Sequence, residues 1–156
     1  MDKLIYLDNA ATTKTSPEVV EAMLPYFTEK FGNPSSLYDT GLEAKAAVTH
    51  AREQVAALIN ADPKEVFFTA GGTEADNWAL FGVCDQLKAK GNHIITTKIE
   101  HHAILHSCAF LEKQGIDVTY VGIDKDGRVN LKELEDAITD KTILISVMMV
   151  NNEIGT

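Results

Sequence analysis

Residues 69–74 combine the features of an anion-binding turn. Their sequence, Thr-Ala-Gly-Gly-Thr-Glu, follows the short apolar run 66–68 and precedes a segment with helical spacing. The first amides of a helix have no partner within it, and the helix dipole adds positive potential there. Glycines such as Gly72 let a ligand approach the backbone closely. The stretch therefore predicts a phosphate site, with a tight turn capped by Thr73 as the alternative.

Histidine and asparagine side chains follow two later predicted strands. Residues 100–102 come after one strand, and Asn151 and Asn152 come after another. Ligands of parallel sheets bind beyond the carboxyl ends of the strands, so these clusters and the anion-binding turn fall at one edge. His101 is the candidate ligand-binding residue of the first of these clusters. A turn-capping role is its alternative, and the shared edge favours ligand binding.

Other reactive residue types have simpler explanations. His102 and His106 lie four apart, as zinc ligands on a helix do, and His101 can join them. No acidic or cysteine partner has metal spacing, so we expect no metal site. Lys98 is expected to be solvated rather than to form a Schiff base. Residues 124–133 look like part of a calcium loop, but they lack the first acidic ligand and favour a β-turn.

Cysteines and large aromatic residues are assigned to the interior. Cys84 and Cys108 both fall among apolar neighbours inside predicted helices. We expect buried structural thiols, free in a reducing cytosol, rather than nucleophiles. Trp78, Phe67 and Phe68 are also expected in the core.

The elements that must position these residues alternate along the chain. Ser16, Pro17 and Glu18 predict a helix start, and Pro25 predicts a break in that helix. Strands are predicted at 4–7, 66–69, 93–97, 118–121 and 142–150, and helices at 42–59, 73–90, 102–114 and 131–138. This alternation predicts an α/β fold with a mostly parallel sheet flanked by helices.

Composition and charge narrow the classes of function. The chain has 156 residues, 45% of them hydrophobic and 24% charged, with a formal net charge of −9. Such an acidic chain does not favour non-specific binding to nucleic acid or to an anionic membrane. Its apolar runs are too short to span a bilayer. We expect no nucleic-acid partner, no membrane association and a cytoplasmic location.

Five ordered segments carry a resemblance to a known family. They are YLDNAATT at 6–13, FGNPSS at 31–36, FTAGGTEADN at 68–77, EHHA at 100–103 and VMMVNNEIGT at 147–156. Together they resemble the cysteine desulfurases, the sulfur-mobilising branch of the class V aminotransferase-like, pyridoxal-phosphate enzymes. The resemblance runs over the whole chain and covers only the first part of a typical family member.

The resemblance implies a fold and a set of roles. The chain would be part of the large domain of the fold-type I pyridoxal-phosphate transferases. Gly72 and Thr73 match the contacts to the phosphate of the cofactor, pyridoxal 5'-phosphate. His101 matches the histidine that stacks on the pyridine ring and assists proton transfer, and Asn152 matches the asparagine that reaches the ring hydroxyl. The implied reaction takes sulfur from L-cysteine and leaves L-alanine. The enzyme would then pass a persulfide to a sulfur-acceptor or scaffold protein for iron–sulfur cluster assembly or other sulfur delivery. Family members of this kind are homodimers.

The sequence also departs from the family pattern. Tyr38 stands where many members have a histidine, and Ala70 stands where a serine is usual. No segment matches the Schiff-base lysine, the aspartate at the pyridine nitrogen, the persulfide cysteine or the arginine for the substrate carboxylate. We therefore expect the chain alone to be inactive. The alternatives are a non-catalytic remnant, half of a split enzyme, or another class V member such as a selenocysteine lyase or an aminotransferase.

The order of elements also implies a domain division. The last predicted strand is followed only by residues 151–156, whereas a buried strand is normally succeeded by a covering element. We therefore expect the sequence to be the N-terminal part of a larger polypeptide. It would comprise an N-terminal arm, 1–15, and an incomplete cofactor-binding large domain, 16–156.

Overall fold

The computed structural model describes residues 4–156, so the first three residues of the predicted arm lie outside it. Contacts within the chain group into two compact units, Met1–Phe68 and Thr69–Thr156, which are described separately below. The division into an arm, 1–15, and a large domain, 16–156, stays a prediction.

The first unit is helical. Helix α1 spans Pro17–Met23, α2 spans Pro25–Thr28, α3 spans Asp39–Ile59, and a 3₁₀ turn spans Pro63–Glu65. Ser16 caps α1, as predicted, because its hydroxyl accepts a hydrogen bond from the Val19 amide at 3.4 Å. The predicted break at Pro25 is confirmed, since α1 ends two residues before it. Helix α3 ends where Asn60 adopts the left-handed conformation, with φ of 55°.

The second unit is a parallel three-stranded sheet with helices between the strands. Strand β1 spans His93–Thr97, β2 spans Asp117–Val121 and β3 spans Thr142–Ser146, in the order β2-β1-β3. Helix α4 spans Gly72–Leu87, α5 spans His102–Glu112 and α6 spans Leu131–Ala137. Both pairings of β1 are parallel. The predicted α/β class, a mostly parallel sheet flanked by helices, is confirmed.

The core lies where α4 and α5 cover the sheet. Every residue of β1 is buried, as expected for a central parallel strand. Ile94 packs with Leu80 and Cys84 of α4 and with Ile104 and Cys108 of α5. The sheet and the two helices therefore form two packed layers. This packing fixes the positions of the ends of the strands and of the first residues of the helices.

Two predicted strands are absent from the sheet. Residues 4–7 and 66–69 have no strand assignment, and β3 ends at Ser146 rather than at residue 150. Around Val66 the backbone is extended, but its carbonyl accepts a hydrogen bond from Arg52 Nε at 3.0 Å. Apolar runs indicate extended backbone, but a strand also needs a hydrogen-bonded neighbour, which the pattern cannot supply.

The prediction that three aromatic residues lie in the core was wrong. Phe67, Phe68 and Trp78 are 65%, 51% and 56% exposed. For Trp78 the reason is helical geometry, because the buried stripe of α4 runs through Leu80 and Cys84. Two residues along a helix correspond to about 200° of rotation, which places Trp78 on the other face.

The acidic segment after β2 is a turn, as predicted. The Asp124 carboxylate accepts hydrogen bonds from the Asp126 and Arg128 amides at 2.8 and 2.9 Å. Gly127 has φ of 79°, a conformation that glycine adopts without strain. The two backbone hydrogen bonds, that of Arg128 first, lower the pKa of Asp124 below its usual value.

Replacing Leu80 with alanine tests the core. Leu80 is 1% exposed, so Leu80→Ala should lower the free energy of unfolding by about 3 kcal/mol through lost burial and a residual cavity. Leu131, 74% exposed on α6, is the matched control, and Leu131→Ala should change it by less than about 0.5 kcal/mol. Urea denaturation measures both. Equal effects of the two substitutions would contradict the core described here.

Candidate functional site

Helix α4 begins at an open, uncapped end. Gly71 is the N-cap, and within residues 4–156 no side chain hydrogen-bonds to the first amides of this helix. A Cβ built on Gly71 or Gly72 meets no atom within 4 Å, so the backbone is accessible from outside. Thr73 lies inside the first turn rather than capping it. The helix thus presents unpaired amides and its positive dipole end, the elements of an anion site.

The backbone before α4 is held by two short-range hydrogen bonds. The Ala70 amide donates to Glu74 Oε2 at 2.6 Å, and the Thr69 hydroxyl donates to the Gly71 carbonyl at 3.0 Å. Glu74 reaches back from the first turn as the acid of a capping box does. These bonds fix the turn, and neither of them uses the amide of Gly72 or Thr73.

Two neighbouring cavities lie along α4. The first, called the α4 groove, has a volume of about 420 Å³ and is lined by residues 70–74 and Asn77. The second, called the interhelical cavity, has a volume of about 560 Å³ and lies between α4 and α5. Its lining includes Thr73, Asn77, Phe81, His101, His106 and Ser107. Thr73 and Asn77 line both cavities, so the two cavities adjoin at these residues.

His101 connects the end of β1 to the start of α5. It is the N-cap of α5, and its Nδ1 accepts a hydrogen bond from the Ala103 amide at 3.1 Å. The turn-capping alternative is therefore realised, and the exposed ring also lines the interhelical cavity. Because Nδ1 accepts, the proton of the neutral ring sits on Nε2. Nε2 is the atom left to exchange a proton with a ligand.

Asn152 lies apart from this cavity. It is exposed, and its side chain donates to Glu153 Oε1 at 3.0 Å. The structure thus brings Thr73 and His101 to one cavity and Gly72 to the adjoining groove. It does not bring Asn152 into either of them.

Two buried residues that the sequence patterns did not single out hold the edge together. Glu100 is 6% exposed, and its Oε1 accepts hydrogen bonds from the Thr97 hydroxyl at 2.8 Å and the Met148 amide at 2.9 Å. Asn151, also buried, donates from Nδ2 to the Ile99 carbonyl at 2.9 Å. These bonds join the loop after β1 to the segment after β3. The signal in the sequence was their position beside His101 and Asn152, which does not reveal burial.

A larger cavity lies at the opposite edge of the sheet. It has a volume of about 780 Å³, and four carboxylates line it: Glu112, Asp117, Asp136 and Asp140. His93, at the start of β1, has both ring nitrogens engaged, with Thr142 Oγ1 at 2.8 Å and Thr119 Oγ1 at 2.9 Å. Lys141 also lines this cavity, but four carboxylates outnumber it and disfavour an anion, so volume alone does not identify the site.

The histidines and cysteines near the α4 groove and the interhelical cavity do not form a metal site or a reactive thiol. Within residues 4–156 no group of three or more histidine, cysteine or acidic side chains has metal-binding geometry, although the His102 and His106 rings are 5.2 Å apart. Cys84 and Cys108 are free and buried, as predicted. Burial raises the pKa of both thiols, that of Cys108 to about 11, so both are neutral at physiological pH. Lys98 is exposed, as predicted for a solvated lysine.

The second unit is thus a parallel α/β fold with an open helix N-terminus at α4 and a histidine after the carboxyl end of β1. The chain belongs to the class V aminotransferase family, a pyridoxal-phosphate-dependent family that matches residues 5–156. No helix among residues 4–156 is long and apolar enough to cross a membrane.

Sequence relatives point to one branch of this family. Cysteine desulfurase IscS of Clostridium botulinum (strain Kyoto / Type A2) is 60% identical over 156 residues, 100% of this chain and 39% of that protein. Cysteine desulfurase IscS of Methanosarcina thermophila is 56% identical over 155 residues, 99% of this chain and 38% of that protein. The chain therefore spans about two-fifths of the length of these relatives.

Solved structures share the fold closely. A NifS-like protein superposes with a TM-score of 0.95 at 42% identity, covering 97% of this chain and 42% of that one. A structure of SspA in complex with cysteine superposes with a TM-score of 0.93 at 38% identity, covering 97% of this chain and 44% of that one. The α/β unit is thus the arrangement found in these proteins.

Two substitutions at His101 test whether its contribution to stability comes from capping α5 or from the imidazole ring. His101→Ala removes the acceptor for the Ala103 amide and should lower the free energy of unfolding by about 1 kcal/mol. His101→Asn supplies an equivalent side-chain acceptor without an imidazole, so stability should stay within about 0.3 kcal/mol of wild type. Thermal and urea unfolding measure both. A loss in His101→Asn as large as in His101→Ala would show that the cap is not the source of the stability.

Proposed function

We propose that this chain forms the cofactor-phosphate and ring-binding part of a pyridoxal-phosphate-dependent cysteine desulfurase. One observation carries the proposal: Thr73, at the start of α4, and His101, the N-cap of α5, line the same cavity. The family membership and the 60% identity to a cysteine desulfurase support the choice of cofactor and reaction.

The residues at the edge fit the phosphate end of this cofactor. The amides of Gly72 and Thr73 are open to the α4 groove, the Thr73 hydroxyl is a further donor, and no side chain blocks their approach. A dianionic phosphate is stabilised by such amides and by the helix dipole. Although the chain has a formal net charge of −9, the acidic cluster lies at the other edge of the sheet.

His101 fits the ring end. When bound, pyridoxal phosphate withdraws electrons from the substrate and so allows bonds at its α-carbon to break. His101 would cover the ring with its imidazole face, and Nε2 would hold the proton that is given to or taken from the substrate. Its Nδ1 bond to the Ala103 amide fixes the ring orientation for that task. Asn152 would exchange its hydrogen bond with Glu153 for one to the ring hydroxyl.

The substrate, partners and location are part of the same proposal. L-cysteine would give L-alanine and a persulfide, which a sulfur-acceptor or scaffold protein would receive for iron–sulfur cluster assembly, in a cytoplasmic homodimer. A structure of SspA with cysteine, 38% identical over most of this chain, supports cysteine as the substrate class. The Schiff-base lysine, the aspartate at the pyridine nitrogen and the persulfide cysteine would be supplied from outside these 156 residues.

A chimera tests the proposed function. This chain would replace the matched segment of the Clostridium botulinum relative, which corresponds to 39% of that protein. The chimera should release alanine and sulfide from L-cysteine in the presence of a thiol reductant. The 156-residue chain alone should give only the background of the free cofactor. A folded chimera without turnover, or clear turnover by the isolated chain, would contradict the proposal.

In the same chimera, His101→Asn should retain the fold and lose activity by about 100-fold, because the cap remains and the proton-transferring ring is gone. Steady-state kinetics of alanine formation, compared with cofactor absorbance, measures this effect. If His101→Asn kept full activity, His101 would act only as the cap of α5 and the proposed proton transfer would be wrong.

A further inference from the structure

The loop between β1 and α5, residues 98–101, is tied to the segment after β3 by two hydrogen bonds. The Ile99 carbonyl accepts a hydrogen bond from Asn151 Nδ2 at 2.9 Å. Glu100 Oε1 accepts one from the Met148 amide, also at 2.9 Å. Because Glu100 and Asn151 are each 6% exposed, water competes little for either bond. These two bonds are called the clamp below.

His101 follows the clamped residues directly and is held on its other side by α5. The Ala103 amide donates to His101 Nδ1 at 3.1 Å, and the Ile104 amide donates to the His101 carbonyl at 2.9 Å. These helix bonds fix the ring relative to α5, whereas the clamp fixes the residue relative to the carboxyl edge of the sheet. Proton transfer needs both constraints, because the reacting atoms must lie within a narrow range of distances and angles.

The two ends of the Asn151 amide have separate tasks. Its Oδ1 accepts from the Glu153 and Ile154 amides at 2.9 and 3.1 Å and so closes the turn after β3. Its Nδ2 donates across the edge to the Ile99 carbonyl and lies 3.4 Å from Met148 Sδ, a weak acceptor. An aspartate at this position would supply the acceptor without the donor. The clamp can therefore be opened without opening the turn.

We propose that Glu100 and Asn151 are positioning residues for His101, and that the clamp holds the imidazole where Nε2 can exchange a proton with the substrate. This inference rests on the proposed function, because the proton transfer belongs to that reaction. Neither side chain lines the α4 groove or the interhelical cavity, so both act on the reaction through His101.

The test uses the chimera with the Clostridium botulinum relative. Asn151→Asp keeps the acceptor for the two turn amides but sets an oxygen against the Ile99 carbonyl. In steady-state kinetics, kcat should fall about 30-fold while KM for L-cysteine stays within about twofold, because a misplaced ring slows proton transfer rather than binding. Asn151→Asp combined with His101→Asn should cost no more activity than His101→Asn alone, since the clamp acts through the ring.

Three further variants separate positioning from stability. Glu100→Ala removes the acceptor and should also lower kcat about 30-fold. Glu100→Gln keeps an oxygen for the Thr97 hydroxyl and the Met148 amide, so it should restore kcat to within about threefold of wild type. The matched control is Asn92→Asp, because Asn92 Nδ2 donates to the Gly115 carbonyl at 3.0 Å at the other edge of the sheet. It should lower stability and leave kcat unchanged.

A second measurement needs neither cofactor nor turnover. In the isolated 156-residue chain, labelled with ¹⁵N-histidine, two-dimensional NMR reports the ring signals of each histidine. The signals of His101 should move in Asn151→Asp and in Glu100→Ala and stay in place in Asn92→Asp. Those of His50, on α3, should stay in place in all three variants.

The outcomes distinguish this inference from the proposed function. A folded wild-type chimera without turnover overturns the proposed function, and the ring signals then test the clamp by themselves. Unchanged His101 signals in Asn151→Asp and Glu100→Ala overturn the clamp whether or not the chimera is active. In an active chimera, full kcat in Asn151→Asp, or a loss that adds to that of His101→Asn, also overturns it. So does an equal loss of kcat in Asn92→Asp, because stability alone would then explain the effect.

Discussion

The buried carboxylate of Glu100 organises the edge of the sheet on which the site depends. A charged group at 6% exposure is costly unless hydrogen bonds stabilise it. Here the Thr97 hydroxyl and the Met148 amide supply those bonds and join the end of β1 to the segment after β3. His101 is the next residue, so the position of its ring follows from the place where Glu100 is anchored. The Asn151 side chain reinforces the same junction through the Ile99 carbonyl.

Local electrostatics, rather than net charge, decides where an anion can bind. A cavity of about 780 Å³ is bordered by four carboxylates at the amino ends of the strands. The opposite edge has the open helix N-terminus at Gly72 and Thr73 and the hydroxyl of Thr73. A helix N-terminus contributes roughly half a positive charge over a short range, which an overall negative charge does not cancel at contact distance. An acidic chain can therefore hold a phosphate on one side of its sheet.

The sequence predicted the elements that local patterns determine. The cap at Ser16, the break at Pro25, the strand His93–Thr97 and the turn at Asp124 follow from residue types and spacing over a few positions. The pattern failed where neighbours distant in sequence decide the outcome. Residues 66–69 are apolar yet unpaired as a strand, and Trp78 is apolar yet lies on the exposed face of α4.

The candidate site could also be predicted only where local sequence determines the position of a residue. His101 follows β1, so sheet topology predicts its edge, whereas Thr73 was assigned to that edge through a strand at 66–69 that is not part of the sheet. The role of Glu100 could not be predicted, because it depends on the Met148 amide, forty-eight residues away in the sequence. Asn152 was placed by resemblance, and its side chain here bonds to Glu153 rather than facing the cavity.

The central claim is that the open end of α4 and His101 form one ligand site. The most direct measurement is a two-dimensional NMR titration of the isotope-labelled chain with pyridoxine 5'-phosphate. The account predicts that the largest shifts occur at the backbone amides of Gly72 and Thr73 and at the ring of His101. The largest shifts at His93 and Asp117, on the opposite edge of the sheet, would contradict it.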